Sequence, residues 1–174
     1  PGDTARSARR RPAEAMLCHP RPRRCGGSRT SAPTAAARLA AERGISDADL
    51  STLKQLIRDL DAAVTPNPDT MDLDRYMALN ATFHEMLAGL SGSKIVQREL
   101  ERVMQLPFAG PSAFLNAQVT VPEFRASLAF GQAQHRAIAQ AIEAREGSSA
   151  EAVTREHARL ARINLDFVLK DRSL

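Results

Sequence analysis

From Ala35 onward the apolar residues recur every three or four positions, the period of helices that bury one face. In "ISDADLSTLKQLIRDLDAAV", Leu50, Leu53, Ile57, Leu60 and Val64 form such a stripe, opened by Ser46 as an N-cap with acids in the first turn. Before it, "AAARLAAERG" predicts a short helix ended by Gly44; after it, "TPNPD" breaks the pattern. A third helix is predicted over residues 71–90, with Asp69 and Asp72 as a capping pair and "SGS" as its end. A fourth, over 94–106, is expected to bury Ile95, Leu100 and Val103 and to stop at Pro107. "LPFAGPSAFLNAQVTVPEF" is a long connection with room for one helical turn after Ser112. The fifth and sixth helices, over 125–145 and 149–170, are parted by "EGSS", with Ser148 and Glu151 as a start signal. The best strand candidate, "AQVTVPEF", is interrupted by Pro122. The pattern predicts an all-α fold: an antiparallel bundle of about six helices with mostly short connections, forming one domain over residues 35–174.

Residues 1–34 are different. Five prolines, a Gly-Gly pair and scattered arginines leave almost nothing to bury, so this basic tail is expected to be disordered. It also explains the charge of the chain, +4 overall. The tail holds eight Arg against Asp3 and Glu14, a net of +6, leaving sixteen basic against eighteen acidic residues beyond it, a net of −2. A polyanion-binding reading would thus rest on the tail alone. Both cysteines, Cys18 and Cys25, lie there too, and with His19 their spacing matches no compact zinc knuckle. Without a disulfide framework, a secretory leader or an apolar run near 18 residues, the expected setting is the cytoplasm, with no membrane contact.

Two polar residue types, Asn and His, interrupt the apolar stripes. Asn80 and His84 are one turn apart on the third helix, in line with Met77 and Leu87. His135 shares a face with Leu128, Ile138 and Ile142, and His157 shares one with Val153, Leu160, Asn164 and Phe167. Any one of these histidines reads most simply as a core imidazole satisfied by a carbonyl or a water. Three of the four histidines on three apolar faces would leave six ring nitrogens to satisfy in a low-dielectric interior. One divalent ion satisfies three at once, and bundle cores are where facing helices assemble such sites. The donor set would be His84, His135, His157 and the Asn80 carbonyl oxygen, which suits zinc, nickel or manganese. A neutral Asn80 would hold the ion more weakly than an Asp and leave it more electrophilic toward an added anion.

The segments "NATFHEML", "QAQHRAIAQAIEAREGSSAEAVTREHARLA" and "AARLAAERGISDADLSTLKQLI" resemble the FCD effector-binding domain of GntR-family bacterial transcriptional regulators. The resemblance spans about Ala35 to Phe167. It implies that Asn80, His84, His135 and His157 ligate a metal in the bundle interior, beside a cavity that takes a small carboxylate effector. It also implies a homodimer and, in an intact regulator, DNA binding through a winged helix-turn-helix. The Pro-Arg tail is too short for that module and has the wrong composition, so this chain is not expected to read an operator by itself. The prolines, Pro33 among them, argue against extending the first helix backward from Ala35.

The expected function is therefore effector sensing, without catalysis. Closure over the effector would shift helices and, in an intact regulator, the spacing of two DNA-binding domains. Asn164, two turns beyond His157, and Arg102 on the fourth helix are candidate effector contacts. A helical metalloenzyme would use the same three histidines. Its weakness is the missing general base, since Glu85 and Glu156 adjoin ligand histidines but point about 100° away from them. A third reading makes the ion a structural staple.

Overall fold

The computed structural model describes residues 27–65, 71–104 and 122–171, which form six helices and no strand. These are α1 (Gly27–Arg43), α2 (Asp47–Ala63), α3 (Leu73–Leu90), α4 (Lys94–Met104), α5 (Pro122–Glu143) and α6 (Gly147–Asp171). The start signals act as the sequence suggests. Ser46 Oγ accepts from the Asp49 amide at 3.1 Å, and Asp72 Oδ1 accepts from the Arg75 amide at 3.0 Å, which starts α3 two residues later than predicted. Asp69, proposed as its partner, lies outside the described residues, as do the turn after Ser112 and most of the 1–34 tail.

The first helix is the main departure. It begins at Gly27 and runs through Pro33, so residues 27–34 belong to a helix that the prolines argued against. A proline inside a helix costs about 3 kcal/mol through its missing N–H and its clash with the preceding turn. Burial offsets that cost: Ala32, Thr34 and Ala36 are all buried, and Ala32 and Ala36 cluster with Leu100 of α4.

This helix is the axis of the bundle. It packs most extensively along α6 and also touches α3, α4 and α5, while α2 lies on α3 and α5. So many neighbours fit because its inward residues are alanines: Ala36, Ala37, Ala40 and Ala41 are fully buried. Larger side chains fill the spaces farther out, chiefly Leu53 and Leu60 of α2, Phe83 of α3, and Ile138 and Ile142 of α5. On α4 Leu100 is buried and Val96 and Val103 are half-buried; Ile95, expected inside, is 77% exposed because it stands about 100° from Val96 in the first turn.

Two tight corners set the helix directions. Gly44, at φ +75°, ends α1, and the Arg145 guanidinium occupies the space a Cβ would need while donating to the Arg43 carbonyl at 2.9 Å. At the α5–α6 corner the Glu146 amide bonds back to the Ala141 carbonyl (2.8 Å) and the Arg145 amide to Ile142 (3.1 Å), a Schellman closure with Arg145 left-handed at φ 60°.

Candidate metal centre

The α5–α6 corner fixes the height of two of the three imidazoles. His135 lies eight residues before the end of α5 and His157 ten residues after the start of α6, so the antiparallel pair brings them level. His84 joins from α3. The ring centroids are 4.4 Å apart for His135 and His157, 5.3 Å for His84 and His157, and 5.5 Å for His84 and His135. One nitrogen from each ring lies within 4.8 Å of the other two. Phe83 covers the group from below, its ring 4.4 Å from that of His135.

Burial holds all three imidazoles below the ordinary histidine range. His84 falls to about 3, with repulsion from His157 as a second cause, and His157 falls to about 4. His135, fully buried, lies well below 6.5, with repulsion from His157 and then His84 adding to burial. His84 and His157 keep part of their surface accessible, but the rings enclose one another, so burial still dominates. All three are neutral at pH 7 and offer lone pairs.

For His135 the hydrogen bonds say which nitrogen carries the lone pair. Gln132 Nε2 donates to Asp61 Oδ1 at 2.8 Å and lies 3.4 Å from the Ile57 carbonyl oxygen. Both partners only accept, so the amide orientation is settled and Gln132 Oε1 faces His135 Nδ1 at 3.0 Å. That nitrogen must then donate, which leaves His135 Nε2 bare. His157 Nδ1 has the Gln134 Oε1 at the same 3.0 Å, and the two Nε2 atoms stand 3.1 Å apart. His135 Nε2 can only accept, so His157 Nε2 either donates a proton across this gap or, where its Nδ1 donates to Gln134, stands bare as well, an arrangement that calls for something positive between the two nitrogens. Nitrogens about 2.0–2.1 Å from one tetrahedral ion would be about 3.3–3.4 Å apart, so the pair fits a cation with little adjustment. The span of 4.8 Å over the full set means that one ring must close in further.

Asn80, one turn before His84, is buried on α3 at 4% exposure. Asn164 is half-buried on α6, its Oδ1 accepting from Ser127 Oγ at 2.9 Å. Arg102 is exposed near the end of α4. Glu85 and Glu156 are exposed as well, so neither is placed as a base beside the imidazoles. The sequence reading missed Asp61, Gln132 and Gln134. Gln132 precedes His135 by three, the spacing of helix-face neighbours, but nothing along the chain links it to Asp61, 71 residues away.

A helical bundle that gathers neutral, metal-type donors in its interior is a binding domain in architecture. The chain belongs to the FCD domain family, a family of regulatory ligand-binding domains, whose sequence pattern matches residues 34–160 and so includes Asn80 and the whole histidine cluster. No curated protein matches the chain. Among the described residues no helix is long and apolar enough to cross a membrane.

Proposed function

We propose that this chain is the effector-sensing domain of a GntR-family regulator, and that it binds a small carboxylate at a divalent ion in the bundle core. His84, His135 and His157 would hold the ion through bare ring nitrogens, with the Asn80 carbonyl oxygen as a fourth donor. The ion supplies a Lewis-acidic position for a carboxylate oxygen. Four neutral donors leave its full charge uncompensated, which favours an anion as the remaining ligand. Asn164, close along α6, and Arg102, near the end of α4, are the proposed polar contacts for the rest of the effector. Among the described residues no general base stands beside the imidazoles, which supports binding rather than turnover as its use. Exposed Ile95, Phe130 and Ile163 offer apolar surface to a second copy, in keeping with a homodimer. DNA would be reached through a separate reading module of the intact regulator.

The observation that carries this reading is the pair of facing Nε2 atoms 3.1 Å apart, with the His135 tautomer settled by Gln132. The test is thermal shift and calorimetry on chelator-treated protein. Zinc, nickel or manganese should raise the melting temperature, His135→Ala should abolish that rise, and di- or tricarboxylates should bind only the metal-loaded form. Protein that takes up none of the three metals would contradict the reading.

A further inference from the structure

The three imidazoles come from α3, α5 and α6, yet the hydrogen bonding that prepares one of them starts on α2. Asp61 accepts from Gln132 Nε2 at 2.8 Å, and Gln132 Oε1 accepts from His135 Nδ1 at 3.0 Å. Arg136, one turn beyond Gln132, reaches the same Asp61 oxygen at 3.3 Å and holds the carboxylate between two donors. Gln132 is 2% exposed, so its amide has no water-facing alternative. An unconstrained glutamine could present either end of its amide to an imidazole. Turned the other way, its NH2 would donate to Nδ1, the ring would carry its proton on Nε2, and that proton would stand where the ion binds.

We propose that Asp61 and Gln132 are positioning residues for His135: the carboxylate orients the amide, and the amide fixes the Nδ1–H tautomer that presents Nε2 as a metal donor. The inference rests on the metal reading above for its use, though the tautomer can be read without any metal. It gives α2, which supplies no ligand, a direct effect on the affinity of the site. Loss of partners that orient metal-binding histidines typically weakens affinity 10–100-fold.

The experiment uses the full chain with Asp61→Ala, Gln132→Met and His135→Ala. Calorimetry with zinc alone is paired with long-range 15N–1H spectra of the metal-free histidines, and circular dichroism checks the fold. Native protein should show His135 as the Nδ1–H tautomer. Asp61→Ala and Gln132→Met should shift it toward Nε2–H and bind zinc about 10–100-fold more weakly with helicity unchanged. If Asp61→Ala keeps native affinity and the native tautomer, the proposal is overturned while the metal site stands. If native protein takes up no zinc, the metal reading fails, and the spectra still decide whether Asp61 sets the tautomer. Should Asp61→Ala not fold, Asp61→Asn serves instead. Its amide can donate as well as accept, so a mixed tautomer supports the proposal and a purely native one overturns it.

Discussion

As the proposed fourth donor, Asn80 is where the chemistry of the site is most sensitive to a single atom. Replacing its amide by a carboxylate places a negative charge at 4% exposure, one turn from the neutral His84. Without metal, that charge is buried, so Asn80→Asp should lower the melting temperature of the stripped protein. With metal the sign reverses. One unit charge within a few ångström of a divalent ion is worth more than about 1.4 kcal/mol even at a surface-like dielectric, so zinc affinity should rise at least about tenfold. Carboxylate binding to the loaded protein should weaken, and sequential calorimetry with zinc and then a dicarboxylate reads both effects. The histidines were legible in the sequence because a period of 3.6 put each on an apolar stripe, where a polar residue stands out. Asp61 and Gln132 were not, because a polar residue at a stripe's edge looks the same whether it meets water or a neighbouring helix.

Among the elements, α1 shows most clearly what periodicity reads well and what it misses. Stripes of large residues made α2, α3 and α5 plain, and Ser46 and Asp72 fixed the starts of the first two. The first helix buries alanines, which give weak contrast with its polar positions, and Pro33 argues locally for a stop. Only the neighbours packed on Ala32, Thr34 and Ala36 explain why the helix continues back to Gly27. The same small face sets a steric limit. Ala40 is fully buried on a helix that touches four others, so Ala40→Leu forces extra methylenes into a filled space. It should cost about 1–3 kcal/mol, seen as a lower urea midpoint with little change in m-value. A midpoint equal to that of the native protein would mean that the axis is looser than its burial implies.

For the whole molecule, the buried imidazoles make stability depend on pH. In the unfolded chain each titrates near 6.5; in the folded chain His84 falls to about 3 and His157 to about 4, with His135 also depressed. Below 6.5 the unfolded chain therefore binds protons that the folded chain refuses, and stability falls as the pH drops toward 4. Each imidazole contributes about 1.4 kcal/mol per pH unit across that window. Metal-free protein should show a clearly lower urea midpoint at pH 5 than at pH 7. An unchanged midpoint would contradict a neutral, buried trio.

The spacing of the proposed ligands along the chain has a kinetic consequence. His84 and His135 are 51 residues apart and His135 and His157 are 22 apart, so gathering all three means closing two loops within one span of 73 residues. An unfolded chain would bear both closure entropies for a single ion and could hold it by little more than one imidazole at a time. The site therefore exists only while α3, α5 and α6 are packed together. Escape of a captured ion would keep time with the opening of the bundle, and metal exchange becomes a clock for the slowest breathing of α3, α5 and α6.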